Sequence, residues 1–169
     1  MTIFDRIASQ YKLQKPFVVY RKPNENVISG FFQKTKDVFF VDDFTEVGFV
    51  FSPFDNSEKA TLIPAKESVY YQEALILETS LSCAKNKAFI PDESAKAYHL
   101  ELVNKAIEQI TKKQFQKVVV SRREAVPLSN FALLESFKKL LQIYPNAFGY
   151  IWFHPEIGLW MGATPETLL

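Results

Sequence analysis

The chain has 169 residues, a formal net charge of +1, and 47% hydrophobic against 23% charged residues. That length holds one domain, or one and a half small ones, and that balance excludes a disordered chain and predicts a packed core. A charge so near zero argues against nucleic acid as a partner, because phosphate binding needs a concentrated basic surface.

Sixteen Phe and seven Tyr predict an aromatic-rich core. The opening MTIFDRIASQ carries Asp5 and Arg6 where a secretory signal would place apolar residues. No run approaches the ~20 apolar residues of a membrane span. The expectation is a cytoplasmic protein without a membrane partner. The single cysteine, Cys83, has no intrachain disulfide partner and reads as a small buried hydrophobe in a reducing compartment.

In chain order, residues 2–13 read as a helix with Ile3, Ile7 and Tyr11 on one face and Thr2 as its N-cap. PFVVYRKP is a strand bounded by prolines. NVISGFFQK and DVFFVDD are the next two, with a hairpin expected at KTKD between them. EVGFVFSPF and ATLIPA follow across the turn-rich DNSEK. Residues 68–90 have no clear period, though part of SVYYQEALILETSL looks helical, and AKNKAFIPDES reads as a loop. A boundary near Pro91 divides a mostly antiparallel β region, 1–91, from a second region, 92–169.

From there the pattern alternates. SAKAYHLELVNKAIEQITKKQF places Ala95, His99, Leu102, Ala106, Ile107 and Ile110 at helical spacing. QKVVVSRREAV reads as a strand. NFALLESFKKLLQIYP reads as a helix with Asn130 as candidate cap and Pro145 as its stop. AFGYIWFHP and GLWMGA are two strands joined at PEI. The predicted class is α/β of the α+β type, an antiparallel sheet with outer helices.

Two positions carry candidate chemistry. Strand alternation would put Lys117, Val119, Ser121 and Arg123 on one face. Lys117 reads either as a solvated lysine at a strand end or as an amine in a cleft, with its pKa lowered by desolvation so that it can act as a base. In GATPE, Thr164 as N-cap and Pro165 at the first helical position put Glu166 in a first helical turn. A carboxylate there gains ~0.3–1 kcal/mol from the helix dipole, which is one reading. The other is a general acid on a strand-to-helix corner, with Gly162 allowing a substrate close to the backbone. His99 and His154 lack partners at zinc spacing, so no metal site is expected from them. There is no Gly-rich phosphate loop and no nucleophile elbow.

The order long helix, FQKVVVSR, helix, YPNAFGYIWFHPEIGLWMGATPETLL resembles the chorismate-binding enzymes, and most closely their isochorismate synthase branch. The separation of Lys117 from Glu166 also agrees with the family pattern. The resemblance is specific over 93–169, while GFVFSPFDNSEKATLIP is similar to the amino-terminal part of menaquinone-pathway members. It implies chorismate as substrate, Lys117 as base, Glu166 as acid, and Gly162, Ala163 and Thr164 as substrate-binding positions. It also implies Mg²⁺, whose ligands in the family follow the GATPE corner. On that comparison the chain reads as the amino-terminal part of a longer enzyme, inactive alone, with its last strands free to join an oligomer. Anthranilate synthases carry Gln where this chain has Lys117. Aminodeoxychorismate and salicylate synthases share the lysine, and an inert folded fragment is a further alternative. Menaquinone and siderophore synthesis both start from isochorismate.

Overall fold

The computed structural model describes residues 1–55, 57–77, 92–123, 125–128 and 131–164. The chain divides into two compact units, one from Met1–Leu81 with Phe131–Leu169 and one from Ser82–Asn130.

The first unit is built on a five-stranded antiparallel sheet. Its strands are β1 (Phe17–Arg21), β2 (Val27–Gln33), β6 (Ser68–Ala74), β7 (Phe148–His154) and β8 (Gly158–Thr164), in the order β6-β2-β1-β7-β8. A three-stranded antiparallel sheet holds β3 (Phe39–Phe40), β5 (Thr61–Pro64) and β4 (Gly48–Phe51), in the order β3-β5-β4. With α1 (Ile3–Lys12), α2 (Glu93–Thr111) and α3 (Leu133–Ile143), this is an α+β protein with antiparallel sheets, as the sequence predicts.

Alternation explains the layers. On β1, Phe17 and Val19 face α1 and α3, joining Ile3, Ile7, Phe137, Leu141, Ile151 and Phe153 in the larger core. Val18 faces the other way and packs with Ile63 and Trp152 beneath the small sheet. β1 is therefore buried on both faces, which is why FVVY is almost continuously apolar. Aromatic rings fill the second layer: Phe51 stacks on Trp152 with centroids 4.5 Å apart, and Tyr20 on Phe148 at 5.6 Å.

Thr2 caps α1 in a reciprocal capping box with Asp5. The hydrogen bonds from Thr2 hold the Asp5 carboxyl below the usual range. At the other end of the unit, Arg21 is buried and closes the C-terminus of α3. Its guanidinium donates to the carbonyls of Leu141 at 2.7 Å, Ala147 at 3.2 Å and Tyr144. Those oxygens lie at and just past the helix end, where some carbonyls have no partner within the helix, and a cation also complements the dipole. Burial pushes the Arg21 pKa down from its ordinary value.

Two readings are corrected and one open segment is resolved. β2 and β3 form no hairpin at KTKD: β2 pairs with β1 and β6, whereas β3 pairs with β5 in the other sheet. Residues 68–74 are strand β6, whose alternating exposure follows a two-residue period. α3 begins at Leu133 after Ala132, with no side-chain cap; Asn130 lies outside the described residues. Pro145 follows the C-cap Tyr144, as a stop should.

In the second unit, Asp92 caps α2 by accepting from the backbone N–H groups of Ser94 at 2.9 Å and Ala95 at 3.3 Å. These bonds, led by that of the Ser94 hydroxyl, hold its carboxyl below the ordinary range. Ala95, His99, Leu102 and Ala106 form the half-buried stripe, while Ile107 and Ile110 are exposed. Exposed ion pairs Glu93–Lys96, Glu101–Lys105 and Glu108–Lys112 line the helix. Among the described residues, no helix is long and apolar enough to cross a membrane.

Candidate functional site

The candidate residues fall in both units. Gly162, Ala163 and Thr164 end β8, in the first. Lys117 belongs to the second. Glu166, Pro165 and the expected helix start lie outside the described residues, as does Cys83.

β8 is held by the hairpin with β7. The turn at Pro155–Ile157 sets the register, with Phe148 opposite Thr164, Tyr150 opposite Gly162 and Trp152 opposite Trp160. Gly158, at φ +115°, supplies the left-handed residue that closes the turn. Direct partners share a face. Gly162 and Thr164 therefore lie with Tyr150 and Phe148 on the small-sheet side, and Ala163 lies on the α3 side opposite Gly149.

That register gives Gly162 a structural reason to be glycine. A Cβ built there would stand 2.5 Å from a Tyr150 ring carbon and 2.8 Å from the phenol oxygen. The Tyr150 ring packs directly over that face of the glycine. Tyr150 is the residue that reading the motif alone misses. The signal was available: counting back through the Pro155–Ile157 turn pairs the glycine with an aromatic.

The tyrosine sits in a water-poor layer. Burial raises the Tyr150 pKa, and burial followed by the nearby Tyr70 and Glu25 raises that of Tyr20. Of the aromatics on the last strands, Trp152 is fully buried, Phe148 and Tyr150 are half-buried, and Trp160 is 50% exposed with its ring 5.6 Å from Phe51. Thr164 is exposed, and β8 pairs only with β7 among the described residues.

Lys117 stands differently. Residues 117–123 form no strand, correcting the expected one, and Lys117 is exposed. Val118 and Val119 are exposed as well, Val119 to 80%. The alternation that was to aim Lys117 at a cleft depends on strand pairing, and no pairing partner for these residues exists among the described ones.

No group of three or more His, Cys, Asp or Glu side chains among the described residues could hold a metal ion. His154 is buried at the turn, its Nδ1 accepting from the Glu156 backbone N–H at 3.2 Å and its Nε2 lying 3.5 Å from the Asp37 carbonyl. His99 is on α2. Neither belongs to a ligating cluster among the described residues.

The model of a protein family described as chorismate binding enzyme matches residues 54–169. No curated protein and no solved structure matches the chain. The family match covers more than half of the chain and spans both units. The chain therefore belongs to the chorismate-binding enzyme family.

Proposed function

We propose that this member of the chorismate-binding enzyme family is an isochorismate synthase, or part of one, with Lys117 and Glu166 as its acid–base pair. One observation carries the reading: the family match over 54–169 contains both the Lys-Val-Val-Val-Ser-Arg segment and the Gly-Ala-Thr-Pro-Glu corner. The lysine favours this branch over the anthranilate synthases that the sequence resembles less.

In this reading, neutral Lys117 takes a proton from water as its oxygen bonds to one ring carbon of chorismate. The double bonds shift, the C–O bond at another ring carbon breaks, and protonated Glu166 gives its proton to the departing hydroxyl, which leaves as water. Lys117 ends protonated and Glu166 ionised, and exchange with solvent resets both. Each group needs its less common protonation state near neutrality, so both require a site drier than the described surroundings of Lys117. The reading therefore demands closure around the lysine when substrate is bound. Mg²⁺ belongs to it as the cation that would neutralise a substrate carboxylate. The described residues provide no cluster to hold it, and no step above is routed through it.

The test supplies chorismate, with and without Mg²⁺, to the protein of the whole reading frame and identifies products by chromatography. Isochorismate is expected. Salicylate with pyruvate, or an aminated product when ammonia is present, would assign another branch. Lys117→Ala and Glu166→Gln should each lower turnover by ~10²–10⁴-fold with the fold retained. Parent rates in both variants would remove the pair from the mechanism.

A further inference from the structure

The two ends of the five-stranded sheet differ in chemistry. Phe32 is in register with Phe17, and Phe17 with Phe153; this row lies at the other end of β7 from Phe148, the partner of Thr164. There, between α1, the end of β2 and the start of β6, is a cavity of about 230 Å³. Its lining includes Arg6, Ser9, Lys15 and Lys34 above Phe32 and Val69, and it contains no Asp or Glu.

The cations of this lining have no carboxylate partner among the described residues. The Arg6 guanidinium is held 4.2 Å from the centroid of the Tyr71 ring, and its buried Nε has no hydrogen-bond partner. Among the described residues, the Lys34 Nζ reaches the Lys66 carbonyl, at 3.3 Å. Two carboxylates near α1 and β6, those of Asp5 and Glu73, are engaged elsewhere. Asp5 accepts from the Thr2 N–H at 2.8 Å and hydroxyl at 2.9 Å, and Glu73 accepts from the Ile3 N–H at 2.9 Å and the Tyr71 hydroxyl at 3.2 Å. Gln33, also on the lining, offers its backbone carbonyl on the α1 side, where it accepts from Gln10 Nε2 at 2.6 Å, while its side-chain amide donates to the Thr35 and Asp37 carbonyls.

Three cations converging in a chain of net charge +1 repel one another, and an anion between them would relieve that repulsion. We propose that this cavity binds a phosphate group, gripped by Arg6, Lys15 and Lys34. Arg6 supplies directional donors, and the lysines supply compact charge. The tetrahedral oxygens of phosphate can accept from all three side chains at once. The site is independent of the reaction proposed above. Its place at the other end of the sheet suits a phosphorylated effector, or a phosphate that ties α1 to β2 and β6.

Titration of the ¹⁵N-labelled 169-residue chain with inorganic phosphate, followed by NMR at constant ionic strength, tests it. Saturable shifts are expected at the amides of Arg6, Lys15 and Lys34, with malonate binding more weakly. Arg6→Gln and Lys34→Gln should each weaken phosphate by roughly tenfold, as expected for loss of a charged hydrogen bond. Lys34 is exposed, so its variant remains informative should loss of Arg6 disturb the packing on Tyr71. Linear, non-saturating shifts overturn the site, as does an unchanged affinity in Lys34→Gln. Malonate binding as tightly as phosphate overturns the phosphate assignment.

Discussion

Two stretches of this chain carry β-forming residues and meet opposite fates. FGYIWFH becomes β7, an inner strand paired on both sides with β1 and β8. KVVVSRR remains outside any strand, with Val119 exposed to 80%. β-Propensity measures fit to a pleated, half-buried surface rather than a preference of the isolated backbone. Phe148–His154 has such a surface on both faces: Ile151 and Phe153 pack with Phe137 and Leu141, and Trp152 under Phe51. Val118 and Val119 are exposed and pair with no strand among the described residues. The contrast matters for function because the two halves of the proposed acid–base pair attach to these two stretches: Glu166 follows the β7–β8 hairpin, and Lys117 opens the segment that forms no strand.

Amide hydrogen exchange gives the largest expected contrast. The amides of Ile151–Phe153 should exchange only through extensive unfolding, whereas those of Val118–Val120 should exchange almost freely. For a domain of ordinary stability the protection should differ by at least ~10³-fold. Comparable protection in both stretches would break the comparison and show that the valines are paired in solution. Protection of Val118–Val120 that appears only with chorismate would sharpen it, as the closure the proposed mechanism requires.

The hairpin can be probed at Gly162. A methyl group there would meet the Tyr150 ring at 2.5 Å, so Gly162→Ala should cost about 1–3 kcal/mol in urea unfolding. In a Tyr150→Leu background the same substitution should cost much less, since the clash is removed. An equal cost in both backgrounds would mean that the glycine serves something other than the ring beside it. Because the two residues touch, the non-additivity measures their coupling directly.

What could be read from the sequence depended on whether the deciding contacts were local. α1 was legible because its cap, its charged first turn and its apolar spacing all lie within Thr2–Lys12. The β7–β8 hairpin was legible because its turn is short and its strands adjoin. The KTKD hairpin failed because adjacency in sequence was taken for pairing, while β2 finds both its partners elsewhere in the chain. The strand at 117–123 failed for a related reason: three valines show what a residue suits, not what lies beside it. At the candidate site, the family resemblance supplied identities but no surroundings. It could not show Tyr150 over Gly162, or Lys117 in the open.

The smallest expected effect concerns the aromatic layer that distinguishes the hairpin. The folded-state pKa values of Tyr150 and Tyr20 are raised, mainly by burial, whereas the unfolded tyrosine ionises near ~10. Above that pH the unfolded chain gives up protons that the folded chain retains. Folding then binds protons, and stability falls as pH rises. The contribution is fully present below about 10 and is lost as pH climbs through the raised folded values. Urea midpoints should therefore decline above that point, and the decline should be shallower in a Tyr20→Phe/Tyr150→Phe variant. Lysines titrate in the same range in both proteins, so the difference between the two curves isolates the tyrosines. Residues 117–123 contain no tyrosine and should contribute nothing to it. An equally steep decline in the double variant would mean that this face is wetter than its packing indicates, and the hairpin would then resemble the exposed segment more closely than the ring contacts suggest.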